Sequence, residues 1–367
     1  MEVSTVIIDS GGYSTRAGFG GDMEPQCIIP TVVGKPKSGS NSNHKDFFVG
    51  SQVFTQPSAL NLKCPIIDRE VTHFEEMTAL WAHVFSQELK INTSEHPVLL
   101  TESPQNSRSA REKTTQIMME TFKVPAFYCA YPEVLSLYSS SQTSGCVIDA
   151  GETVTHILPV FQSFGMTHVI GKIGIGGRVL NGHLKKLLVK DGITLPSSNE
   201  REVVRDIKEQ LCYVALDSNQ EQSKFDTQSL SKSFTLPDGN EIKIGNHAFM
   251  CPEAIFNPEI AGVQSPGLAH VIADVIKSCD DDLRGMMMEN IVLTGGTTMF
   301  PGITERLEKE LSILMPQKCS IIAAPNRKNS AWVGGSVMTS LATFSQMWIS
   351  QAEYQEVGSV IVNLKCF

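Results

Sequence analysis

Three short glycine turns carry the residue types from which a phosphate site can be built: Asp9-Ser10-Gly11-Gly12, Asp149-Ala150-Gly151-Glu152 and Thr294-Gly295-Gly296-Thr297-Thr298. An apolar run feeds each of them, as Val6-Ile7-Ile8 and Cys146-Val147-Ile148 feed the first two. Glycine lets the backbone come close to a ligand and turn its N–H groups inward, which makes a nest for phosphate oxygens. An aspartate at the strand end, beside such a nest, suits a hydrated Mg²⁺ on the same phosphates. Two such hairpins facing each other would clamp a nucleotide between two lobes. Taken singly, each turn also has a plainer reading as an ordinary strand-Asp-Gly turn; their ordered co-occurrence is what points to a ligand. None matches GxxxxGK[ST], and Gly171 to Gly177 (GKIGIGG) lacks dinucleotide-fingerprint spacing, so it reads as a turn entering a helix around Leu180.

The elements that must position these turns alternate along the chain. Strand, turn, strand is expected from Val6 to Phe19, and the same pattern returns from Cys146 through Thr155 and Ile157 to Val160, which suggests two halves of related topology. Between them, Phe74, Met77, Trp81, Val84, Phe85 and Leu89 recur at helical spacing. A second helix is expected from about Ser198 to Leu216, with Ser197 to Glu200 as its cap and Val204, Ile207, Leu211 and Val214 on one stripe. A third follows Pro301 and carries Leu307 and Leu311. Strands alternating with helices give an α/β protein. Lys35 to Lys45 holds no large apolar residue and reads as a surface loop.

The 367 residues, 41% hydrophobic and 19% charged, suit two compact domains or one bilobed domain with a substantial core. A formal charge of −9 argues against nucleic acid or an anionic membrane as the main partner. Nine cysteines stand singly and never as CxxC, the pattern of reduced intracellular thiols. The N-terminus lacks the basic flank and apolar stretch of a signal peptide, and no run approaches the ~18 apolar residues of a membrane span. A protein of the cytoplasm or nucleus is expected. Asn92-Thr93-Ser94 then reads as a capping neighbourhood rather than a glycosylation site.

Longer stretches resemble one family over essentially the whole chain. ETFKVPAFY (120–128), VLSLYSS (134–140), VRDIKEQLCYVAL (204–216), LPDGNEIKIGN (236–246), LTGGTTMFPGI (293–303) and GGSVMTSLATFSQMWISQAEY (334–354) are similar to actin and the actin-related proteins, the testis-type ones being nearest in feel. The resemblance implies a bilobed actin-like ATPase fold, with duplicated domains around a cleft for ATP or ADP and Mg²⁺ or Ca²⁺. One lobe would comprise 1–140 and 332–367, with a smaller subdomain at about 31–64. The other would comprise 141–331, with an insertion at about 177–264. Matched by position, Asp9 and Asp149 fall at the metal-water contacts, and Ser10, Gly11, Gly12 and Tyr13 in the first phosphate loop. Arg16 stands where the family has a phosphate-facing lysine; it keeps the charge but is forked and bulkier. Gly151, Glu152, Thr153 and Val154 match the second loop, and Gly295, Gly296 and Thr297 the turn over the nucleotide. Arg205, Lys208 and Glu209, with Met299, Phe300 and Lys328, match the adenosine side.

The departures bear on chemistry. Gly12 and Tyr13 replace a serine and a glycine, and a left-handed Tyr13 would cost about 1–2 kcal/mol. Ala150, Glu152 and Thr153 replace a serine, an aspartate and a glycine. Pro132 stands in place of the glutamine that orients the attacking water, and loss of such a group costs ~10²–10⁴ in rate. His156 keeps the neighbouring histidine position. Slow or absent hydrolysis is therefore expected. An active polymerising ATPase would need a substitute group, Glu133 being adjacent. SGSNSNH (38–44) lacks the apolar residues with which the family's loop enters the next subunit, the plug at Glu259 to Val263 is less bulky, the acidic N-terminal cluster is reduced to Glu2, and Asp68 replaces a modifiable histidine. Weakened self-polymerisation follows. The groove at Tyr138, Gly145, Val337, Met338, Leu341 and Thr343 is kept, and suits a partner helix of another cytoskeletal protein. The expected role is a structural subunit of a cytoskeleton, with sperm or axoneme as the specialised setting. A nuclear chromatin-complex subunit is the alternative, and near-standard length speaks mildly against it. A sugar or acetate kinase would share the three loops but not the long stretches.

Overall fold

The computed structural model describes residues 4–37, 47–55, 59–195, 200–228 and 231–366. The chain forms two compact units, one of Met1–Ser144, Val160–Thr167 and Asn329–Phe367, the other of Gly145–Pro159 and His168–Lys328.

The first unit is built on a mixed sheet. Val6–Ser10 (β1) runs antiparallel to Ser14–Phe19 (β2), which pairs with Cys27–Pro30 (β3). On its other side β1 is parallel to Val98–Thr101 (β4), and β4 to Ala126–Ala130 (β5), with the short strand Ile349–Ser350 at the edge. A central parallel strand is covered on both faces, so it needs an unbroken apolar run. Val6, Ile7 and Ile8 supply it and are fully buried. The helix Ser330–Thr339 lies against β1, where the Trp332 Nε1–H donates to the Ile7 carbonyl at 3.1 Å. It also approaches Pro132–Ser139 (α1) closely, because a Cβ on Gly334 would stand 1.6 Å from the Leu135 carbonyl oxygen.

In the second unit the order repeats. Gly145–Ala150 (β6) neighbours Thr155–Phe161 (β7), and on its other side is parallel to Ile291–Thr294 (β9), itself parallel to Ile321–Ile322 (β10). Gly171–Ile173 (β8) pairs with β7. Hairpin first, then two parallel strands: each unit carries the same topology, as the recurring strand-turn-strand pattern suggests. Gly177–Lys190 (α2) and Glu200–Leu211 (α3) follow. The α/β architecture expected from the alternating elements is thus what the chain adopts.

Element bounds differ from the periodicity in three places. The Phe74 helix is α-helical to His83 and then widens over Val84–Glu88, closed by the Leu89 N–H on the Val84 carbonyl at 2.9 Å. α3 stops at Leu211 rather than near Leu216. Beyond it the Tyr213 and Val214 N–H groups donate to the Ala248 and Pro301 carbonyls, so the chain leaves the helix to bond other segments. The cap expected at Ser197 to Asn199 lies outside the described residues. Lys35, assigned above to a loop, belongs to the strand Val33–Pro36, which pairs with Leu60–Lys63, and its ammonium bonds Glu75 at 2.8 Å. Positions 38–45 of that stretch are also outside the described residues.

Candidate functional site

β1 delivers the first loop. At its end Asp9, 8% exposed, is held on both carboxylate oxygens: the Thr101 hydroxyl donates to Oδ1 at 2.9 Å, and Arg16 Nη1 lies 3.4 Å from Oδ2. The hairpin register makes this contact, since Asp9 faces Arg16 across β1 and β2. Arg16 is fixed a second time through Nε on Asn329 Oδ1 at 2.9 Å. The turn itself is tight. The Gly11 N–H donates to the Ser14 carbonyl at 3.0 Å, the Ser10 N–H to Thr101 Oγ1 at 3.2 Å, and Thr15 Oγ1 to Ser10 Oγ at 3.3 Å. The carbonyl of Gly12 accepts from the Cys64 thiol. Tyr13 is half exposed and is not among the left-handed residues of the chain, so the strain expected there does not arise. An ordinary β-hairpin bend accommodates its side chain on the surface.

The second and third loops lie together in the other unit. Asp149, 8% exposed, ends β6 opposite Thr294 of β9. Gly295 has φ +88°, and a Cβ there would stand 2.3 Å from the Ala150 carbonyl oxygen and 2.7 Å from Asp149 Oδ1. Only glycine allows the turn to pass so close to that carboxylate. Thr297 ties the turn back to the second loop, its hydroxyl donating to the Gly151 carbonyl at 2.7 Å. α2 begins on the same loop. Its first N–H groups, of Gly177 and Arg178, donate to the carbonyls of Gly151 and Glu152 at 3.0 and 2.8 Å, a backbone cap for donors that would otherwise be orphaned. At Gly177 a Cβ would lie 2.7 Å from Glu152 Oε2 and 3.2 Å from Lys208 Nζ. Burial pushes the Glu152 carboxyl above the usual carboxylate range, against the opposing pull of Lys208 and Arg178. Gly151 N–H reaches the Val154 carbonyl at 3.4 Å across the bend that holds Thr153.

Of the triplet on α3, only Lys208 is buried against this loop, with Nζ 3.4 Å from the Gly177 carbonyl oxygen. Arg205 pairs with Asp206 at 2.8 Å, and Glu209 is exposed. Met299 and Phe300 end the third turn, Phe300 buried and Met299 half-buried, and Lys328 is exposed on the turn Arg327–Asn329. The residue that organises this region went unread in the sequence. Arg327, 9% exposed, donates through Nε to Thr298 Oγ1 at 3.0 Å, through Nη2 to the Thr298 carbonyl at 2.5 Å and through Nη1 to the Ala324 carbonyl at 3.0 Å. Its own carbonyl accepts from Thr294 Oγ1 and the Gly295 N–H. An arginine beside Lys328 in a polar run looks like surface, and only the buried carbonyls around it say otherwise. Thr101 and Asn329 were likewise unread; a threonine closing an apolar strand was the available signal for the first.

Pro132 is the first residue of α1, a position where its missing N–H costs nothing. Next to it the Glu133 side chain is fully buried, 3.3 Å from Arg69 Nη1. Arg69 and Asp68 are both left-handed, φ 70° and 47°, at the tip of the hairpin Ile66–Ile67 with Glu70–Val71. His156, 1% exposed, sits on β7 opposite Lys172 of β8.

In the first unit Val337 and Leu341 are exposed at 41% and 43%, Thr343 is exposed, and Tyr138 OH donates to Ser163 Oγ at 2.9 Å. Met338, assigned above to the same groove, faces the core at 5% exposure. One residue on from Val337 along the helix, its side chain points about 100° away. Gly145 is the buried first residue of β6, in the other unit. The plug segment turns at Pro258–Ala261 and Gly262, with Ile260 at the margin of exposure.

Each unit by itself carries groups of the kind that meet phosphate and its cation. The first has a strand-end carboxylate beside a forked cation. The second has a strand-end carboxylate and a glycine cradle that a Cβ at Gly177 or Gly295 would fill. Among the described residues no three His, Cys, Asp or Glu side chains are grouped to hold a metal ion directly. Nor, among them, is any helix long and apolar enough to cross a membrane. The family model described as Actin matches residues 1–367. The chain therefore belongs to the actin family.

Proposed function

We propose that this protein is an adenine-nucleotide-binding structural subunit of a cytoskeletal assembly, in which ATP or ADP with Mg²⁺ or Ca²⁺ is held and is hydrolysed slowly or not at all. Family membership supports the coarse part, an actin-like nucleotide-binding protein that associates with cytoskeletal or actin-like partners. The finer part rests on one observation at α1. Pro132 offers no side-chain donor or acceptor to orient water, and the only neighbouring substitute read from the sequence, Glu133, is buried in an ion pair with Arg69. A carboxylate used as a base must reach the attacking water; one enclosed beside a guanidinium is committed elsewhere. That pairing argues against the reading as an active polymerising ATPase.

In this reading Asp9 and Asp149 take the metal's waters. Ser10 to Tyr13, Arg16 and Gly151 to Val154 take the phosphates. Gly295 to Thr297, Met299, Phe300, Lys328 and the α3 triplet line the nucleoside. The bound nucleotide supplies charge and hydrogen-bond acceptors that order these loops; the chain's own residues bind and orient it. The lobe boundaries, at about 140/141 and 331/332, belong to the same proposal. So do the exposed Val337 and Leu341 beside Tyr138 as the seat of a cytoskeletal partner's helix, and the specialised sperm or ciliary setting. The experiment is to purify the protein, release its nucleotide with acid, identify it, and follow phosphate release over hours. Stoichiometric ATP that persists is expected; steady release at the rate of ordinary actin would overturn the reading.

A further inference from the structure

Resting on that reading, the arrangement around Asp9 points to a specific departure in how the nucleotide is held. A carboxylate assigned to a metal's waters must keep negative charge directed at the cation. Here both Asp9 oxygens are engaged, Oδ1 by Thr101 at 2.9 Å and Oδ2 by Arg16 at 3.4 Å, in a pair only 16% and 12% exposed at its side chains. Arg16 does not reach Asp9 by chance. The β1–β2 register sets the two opposite each other, and Asn329 Oδ1 anchors the guanidinium through Nε at 2.9 Å. A lysine gathers three donors at one nitrogen, whereas a guanidinium spreads five N–H donors over a plane in fixed geometry and can reach separated acceptors at once. Asn329 and Asp9 occupy two of these, and the fork has donors left for phosphate oxygens.

We propose that Arg16, ion-paired to Asp9 and anchored by Asn329, takes over part of the divalent cation's role, so that adenine-nucleotide binding by this chain depends only weakly on the metal. The pair neutralises one carboxylate that would draw the cation in, and places a permanent positive charge where phosphate charge must be balanced.

The test is equilibrium binding of 1,N6-etheno-ATP, followed by fluorescence, in Mg²⁺ and in EDTA, for the wild type, Arg16→Lys and Asn329→Ala, with circular dichroism melting to establish that each variant folds. Metal removal is expected to weaken the wild type by no more than about tenfold and Arg16→Lys by about a hundredfold or more, with Asn329→Ala in between. Equal metal dependence in the wild type and Arg16→Lys overturns the proposal. If Arg16→Lys does not fold, Asn329→Ala decides: a metal dependence no greater than that of the wild type overturns it. Failure of the wild type to bind the nucleotide in either condition overturns the nucleotide reading itself, and this proposal with it.

Discussion

Arg69 occupies a left-handed backbone position, which costs a non-glycine residue about 1–2 kcal/mol. Its ion pair with the fully buried Glu133 offsets that cost, and it also balances the charge enclosed there. Arg69→Ala should therefore destabilise the protein by about 3–5 kcal/mol, since it leaves a buried carboxylate behind. Arg69→Ala with Glu133→Ala should recover most of that loss, because neither charge then remains. Urea unfolding of the two variants checks this, and a single-variant loss under about 1 kcal/mol would mean that the pair is energetically idle. The same pair decides the chemistry read at Pro132: in the sequence Glu133 is merely the adjacent carboxylate, and only packing shows it committed to Arg69.

At the scale of elements, the helix Gln351–Val357 is opened by a capping box. Ser350 Oγ accepts from the Glu353 N–H at 3.3 Å, and Glu353 Oε2 accepts from the Ser350 N–H at 2.9 Å. Lys365, 2.8 Å from Glu353 Oε1, and the Ser350 donors hold the Glu353 carboxyl down to about 2, from an ordinary value near 4.5. A carboxyl whose folded value is depressed contributes stability above its unfolded value, and loses it as pH falls toward the folded one. Lowering the pH from about 5 to about 2 should thus loosen this helix selectively, whereas Glu353→Gln should show no comparable step in that window. Amide exchange of residues 351–357 in the two proteins, matched for pH, is the measurement; identical profiles would remove Glu353 from the account.

For the whole molecule, two units with the same sheet topology each bring a strand-end aspartate to a glycine turn. Self-assembly of the kind proposed would depend on other surfaces. The segment SGSNSNH offers no apolar anchor, and the plug presents Ile260 at only 36% exposure. Interfaces without central apolar anchors keep area but lose affinity. The pure protein in polymerising salt should stay mainly in the supernatant on high-speed sedimentation. A pellet of long filaments, seen by electron microscopy, would overturn this.

Local patterning determined much of this protein. The strand-turn-strand repeats, the α/β alternation, the three glycine turns and the family resemblance are all legible in short stretches, because a buried strand demands a contiguous apolar run and a tight turn demands glycine. Helix ends were less legible: α3 stops at Leu211 because the Tyr213 and Val214 N–H groups find carbonyls on distant segments. Tertiary structure alone decided which side chains meet. Arg16 with Asp9 and Asn329, Arg69 with Glu133, and Arg327 with Thr298 pair residues 7, 313, 64 and 29 positions apart. The partner of a buried guanidinium is set by the register of strands and the packing of helices, and a linear sequence carries no periodic signal for such pairs. Met338 is a smaller case of the same kind, placed in the core by the rotation of its helix while Val337 beside it is left at the surface.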